Sequence, residues 1–102
     1  MRRALFFLSI LFALASCRSS KPFQLVLLPD TQTYCSNFPE IFRAQTQWIA
    51  DNADRFAYVL HQGDITDNNS EAQWKIAAES MAVLDGKLPV TIVPGNHDTG
   101  KE

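Results

Sequence analysis

Three apolar runs recur along the chain, at residues 23–28, 56–60 and 89–93, and each is followed by a polar cluster. The runs are short and almost unbroken, which predicts parallel strands buried on both faces rather than alternating edge strands. Residues 29–37 read as a polar loop. A helix is expected from Pro39, because proline suits the first turn and Glu40 suits the positive end of the helix dipole. Ile41, Gln45, Trp48, Ile49 and Ala53 follow at helical spacing, flanked by Phe42 and Ala44. That face should meet the core, leaving Arg43, Thr46, Gln47 and Asp51 outward. A second helix should begin at Ser70, which with Gln73 has capping-box spacing. Trp74, Ala77, Ala78, Met81 and Leu84 or Val83 form its apolar face, and Gly86 is a natural stop. Both tryptophans, Trp48 and Trp74, read as core. The order is βαβαβ, an α/β arrangement with right-handed crossovers expected.

The polar clusters carry the candidate chemistry. Asp30 ends the first run, Asp64 the second, and Gly95-Asn96-His97-Asp98 the third, with Asp30 to Asp64 spanning 34 positions and Asp64 to Asn96 spanning 32. Each interval is about one strand–helix–strand unit. Strands in register would gather these residues at one sheet edge, where ligands of open α/β sheets bind. Carboxylates mixed with amide and imidazole donors favour hard or borderline divalent ions such as Mn, Fe, Zn or Mg. Two such ions about 3.5–4 Å apart clamp a phosphate and activate a water. They need an anionic bridge, and Asp64, central among the loops, is the candidate. Gly63 before it permits a sharp turn and close approach to the backbone. His61 reads as a strand-end residue rather than a ligand.

The amino terminus changes the picture of where such chemistry takes place. Arg2 and Arg3 precede twelve mostly apolar residues at 4–15, and Leu14-Ala15-Ser16-Cys17 follows. This is a secretory-signal layout, shorter than the ~20 residues a membrane span needs. The tetrapeptide also resembles the bacterial lipobox, which implies cleavage before Cys17 and its lipidation. Residues 1–16 are then a lipoprotein signal peptide, and residues 17–22 a lipidated cysteine and polar, basic linker suited to anionic headgroups. The expected location is the bacterial cell envelope, anchored to a membrane. Cys35 is left without a partner and reads as a semi-buried small residue. Without residues 1–16 the chain keeps seven Lys/Arg against eleven Asp/Glu, a formal charge of −4. No clustered basic surface for nucleic acid is present in the sequence.

Asp30-Thr31-Gln32, Gly63-Asp64-Ile65-Thr66-Asp67 and Gly95-Asn96-His97-Asp98 resemble the first three motifs of the calcineurin-like metallophosphoesterase superfamily. The resemblance spans residues 23–98 and implies that residues 23–102 are the N-terminal, βαβαβ part of a larger α/β sandwich. It implies two divalent ions, with Asp30 on the first, Asp64 bridging both and Asn96 on the second. His97 would contact the phosphate and protonate the leaving oxygen, with Asp98 orienting and charging it. Asp67 would brace the loop, supported by Gly63 and Gly95. Gln32 stands where the family usually has histidine, a harder and neutral donor that shifts the site toward Mn or Mg or weakens it. The family's later histidine motifs have no counterpart in this sequence, so the isolated chain is expected to have weak or no activity. The function implied is metal-dependent hydrolysis of phosphate esters by a lipid-anchored envelope protein. A non-catalytic envelope lipoprotein, or an inactive fragment, using the same scaffold for binding is the alternative.

Overall fold

The computed structural model describes residues 22–100. The signal peptide and Cys17 lipidation expected from the sequence therefore lie outside the described residues. Three parallel strands, β1 (Leu25–Leu28), β2 (Tyr58–His61) and β3 (Val90–Ile92), form one sheet in the order β1-β2-β3. Leu28 is aligned with His61, and His61 with Ile92. The carboxyl ends of all three strands are thus level, and their loops leave the sheet side by side.

Helices α1 (Gln32–Asn37), α2 (Pro39–Asp51) and α3 (Glu71–Met81) complete the fold, with 3-10 turns at Ala53–Arg55 and Ala82–Leu84. One face of the sheet meets these helices. Leu28, Phe42, Ile49, Val59, Ala77, Met81 and Leu84 form the core between them, and Val26 and Val90 pack against it. Burying a side chain the size of Phe42 contributes roughly 1.5–3 kcal/mol. The opposite face is open, with Leu25 56% and Leu27 54% exposed, so the first strand is not buried on both sides. Tyr58 and Thr91 share that open face through a hydroxyl–hydroxyl hydrogen bond.

Several sequence expectations are corrected here. Residues 32–37 are helical rather than loop. Thr33, Tyr34 and Cys35 are poor helix formers, but Cys35 is buried and Tyr34 packs on the core, so tertiary contact overrides propensity. In α2 the buried positions are Phe42, Thr46, Ile49 and Ala50. Thr46 turns inward because its hydroxyl donates back to the Phe42 and Arg43 carbonyls, which removes the cost of burying it. Ile41 and Trp48 are consequently exposed, and Trp48 stands outside the core against Phe56, with the Arg55 guanidinium 5.8 Å from its ring. Ser70 occupies the N-cap position of α3 without making a side-chain cap bond. Gln73 instead turns its carbonyl oxygen to the Asp67 and Asn68 N–H groups at 2.8 and 3.2 Å.

Candidate active site

The loop after β2 is the centre of the assembly. Gly63 adopts φ +96° and Asp64 φ +48°. A Cβ on Gly63 would stand 2.9 Å from the Gly95 nitrogen, so only glycine allows the second and third loops to touch. Gly95 in turn lies under the Asp64 carboxylate, where a Cβ would meet Oδ1 at 2.0 Å. The Thr31 N–H donates to the Asp64 carbonyl at 3.1 Å, drawing in the first loop. The His97 N–H donates to Asp64 Oδ1 at 3.0 Å, drawing in the third.

Beneath these contacts sits His61, fully buried, and its tautomer follows from its neighbours. The Thr31 hydroxyl donates its one proton to the Ile65 carbonyl, so its oxygen accepts from His61 Nε2–H at 3.0 Å. Nδ1 then carries no proton and accepts from the Gly63 N–H at 3.2 Å. Burial holds the His61 pKa below its ordinary value, against an opposing pull from Asp98 and Asp30. His61 is a neutral pin through the first two loops, in keeping with a strand-end role.

Asp98 does not hold the His97 ring. Its carboxylate accepts from the Ile65 N–H (3.0 Å), Thr66 N–H (2.8 Å), Thr66 hydroxyl (3.0 Å) and Gly95 N–H (2.9 Å). Burial alone would raise its pKa, but these donors outweigh burial and lower it. Neighbours in a tight loop point apart, so adjacency to His97 in sequence did not make Asp98 its partner. That partner is Asp67. His97 Nδ1 lies 2.6 Å from the Asp67 carbonyl oxygen and 3.8 Å from its carboxylate. A carbonyl only accepts, so Nδ1 carries the proton and Nε2 is left for chemistry. This bond chiefly raises the His97 pKa; burial opposes it, and Asp64, Asp67 and Asp30 each add a smaller upward pull.

Asp30 is exposed, with Oδ1 accepting from the Gln32 N–H at 2.9 Å. The Gln32 side-chain oxygen is buried without a hydrogen-bond partner, an orphaned acceptor of the kind a cation satisfies. Asn96 lines a cleft with His97. Among the described residues, no group of three or more His, Cys, Asp or Glu is placed to hold a metal ion. The oxygen donors Asp30, Gln32, Asp64 and Asn96 suit a hard divalent ion chemically, but they supply a share of a coordination shell rather than all of it. Thr31, His61, Thr66 and Gln73 were not anticipated as members of the site. Thr31 and Thr66 lie in loops, His61 ends β2 and Gln73 belongs to α3; all four are buried where these elements meet, which apolar periodicity does not mark.

The sequence matches the Calcineurin-like phosphoesterase family over residues 23–102. The chain belongs to that family. It is 44% identical over 82 residues to "Uncharacterized protein YvnB" of Bacillus subtilis (strain 168), an overlap covering 76% of this chain and 6% of that protein. It is also 40% identical over 43 residues to the "Probable glycerophosphodiester phosphodiesterase GpdQ" of Arcobacter nitrofigilis, covering 42% of this chain and 15% of the relative. The chain therefore spans a small part of each relative's length. No solved structure matches it.

Proposed function

We propose that this chain is the N-terminal part of a metal-dependent hydrolase of phosphate esters, held at the bacterial envelope by lipid on Cys17. The observation that carries the reading is the meeting of the three strand-end loops at Asp64, with the His97 N–H on its carboxylate and the Thr31 N–H on its carbonyl. Family membership and the probable phosphodiesterase among the relatives support the same reaction class.

Asp30, Gln32, Asp64 and Asn96 would hold part of the shell of two divalent cations. Such ions supply Lewis acidity toward the phosphate and the attacking water. The chain's own contribution is positional and acid–base. His97, fixed through Nδ1–H to the Asp67 carbonyl, presents Nε2 toward the ester, and its raised pKa suits a group that gives a proton to the departing oxygen. Asp98 locks the second loop to the third, so that Asp64 and His97 keep their separation. Asp67 replaces Asp98 as the group that orients and charges His97.

Hydrolysis of bis(p-nitrophenyl) phosphate in Mn2+ by the longer protein of which this chain is proposed to be a part, and by its Asp64→Asn and His97→Gln variants, tests the proposal. Asp64→Asn should abolish turnover, and His97→Gln should lower it by about 10²–10⁴. Equal rates in all three would leave a binding protein on a phosphoesterase scaffold.

A further inference from the structure

Beside His97 lies a cleft of about 420 Å³ whose walls include Asp67, Asn68, Asn69, Asn96 and Thr99. Among its described lining residues, the His97 imidazole is the one ring, and no lysine, arginine or large aliphatic side chain is present. With His97 turned to the phosphate, the other titratable side chain of the lining is the Asp67 carboxylate, which disfavours a second anionic group, and no further ring offers a nucleobase a surface to stack on. Hydroxyl groups, which both donate and accept, match side-chain amides and a carboxylate.

The amides are held ready. Asn69 has φ +54°, one of two positive values among the described non-glycine residues, the other being Asp64. Its Oδ1 accepts from the Trp74 indole N–H at 2.7 Å, which fixes the side chain and directs its NH2 away from that bond. Nδ2 stands 4.0 Å from where a Cβ on Gly100 would sit, at the cleft wall. Asn68 Oδ1 is taken by the Ser70 N–H at 3.2 Å, so its NH2 is likewise the part left to donate. The Asp67 and Asn68 backbone is tied to Gln73 in α3, so the cleft wall and the orientation of His97 share one support.

We propose that this cleft receives the alcohol side of the ester, and that this alcohol is a neutral polyol held by the Asn68 and Asn69 amides. The inference rests on the phosphoester reading and adds the class of leaving group. Asn69 is a positioning and specificity residue.

The test uses glycerol 2-phosphate and ethyl phosphate, which share the phosphate and differ in hydroxyls. Each is titrated into the full chain in Mg2+ while the side-chain NH2 signals of Asn68 and Asn69 are followed by NMR. The glyceryl ester should bind more tightly and shift both signals. Asn69→Gly removes the amide while keeping the left-handed backbone unstrained, and should reduce the preference for the glyceryl ester about fivefold. Trp74→Phe, which frees the Asn69 side chain but retains it, should give a smaller loss of the same preference. If both esters bind equally and Asn69→Gly weakens neither, the polyol assignment is overturned while the phosphate site stands. If neither ester binds, the phosphoester reading falls and this inference with it.

Discussion

The backbone N–H of His97 donates to Asp64 Oδ1 at 3.0 Å, so the proposed acid and the central carboxylate are joined by one hydrogen bond. The link makes their separation a property of the loop backbones rather than of flexible side chains. It exists because Gly63 and Gly95 let those backbones come together.

Gly95→Ala therefore tests the juxtaposition. The added methyl would overlap the Asp64 carboxylate and its backbone nitrogen. A loss of about 1–3 kcal/mol is expected from overpacking, with displacement of Asp64. Urea unfolding measures the first and the His97 amide shift the second. An unchanged His97 amide would contradict the contact.

Replacing Asp98 separates bracing from acid–base roles. Asp98→Asn turns one acceptor into a donor facing backbone N–H groups, and should cost about 1–3 kcal/mol. The His97 pKa, read by NMR, should hardly move in that variant, whereas Asp67→Asn should lower it modestly, because it removes the carboxylate 3.8 Å from Nδ1 and keeps the carbonyl that chiefly raises the pKa. A large fall with Asp98→Asn alone would restore the arrangement expected from sequence.

Stability should decline on acidification in two steps. The folded state favours neutral His61, so this contribution is full above the ordinary 6.5 and is lost as pH falls through the lowered folded value. Protonation would also turn Nδ1 into a donor facing the Gly63 N–H. Asp98, with a folded pKa below the ordinary 3.8, contributes above that value and is lost at still lower pH. Urea midpoints from pH 8 to 2 should show both, and His61→Gln should flatten the first step.

Cys35 should be inert in the folded chain. It is 1% exposed, and burial, with a smaller effect of Asp98, pushes its thiol up to about 11. Thiol-specific labelling at pH 8 should proceed only as fast as the protein unfolds.

The three strands and the polar clusters that follow them were legible because unbroken apolar runs ending in polar residues are local signals. Asp64 could be placed at the centre from spacing alone. The buried face of α2 was not legible, because Ile41, Gln45 and Trp48 share helical spacing with a second, exposed face, and Thr46 hides its hydroxyl in its own helix. α1 was missed because its residues are helical through packing. The partner of His97 was misread because the direction each side chain takes in a turn depends on backbone dihedrals that residue order does not carry.

Paramagnetic broadening by Mn2+ in the NMR spectrum of the full chain tests the central claim most directly. At low Mn2+ the amides around Asp30, Asp64 and Asn96 should lose intensity together, and Asp64→Asn, nearly identical in size, should remove the effect. Broadening that persists in Asp64→Asn, or that spreads over exposed carboxylates such as Asp51, Asp85 and Glu71 without centring on the three loops, would contradict a shared cation site.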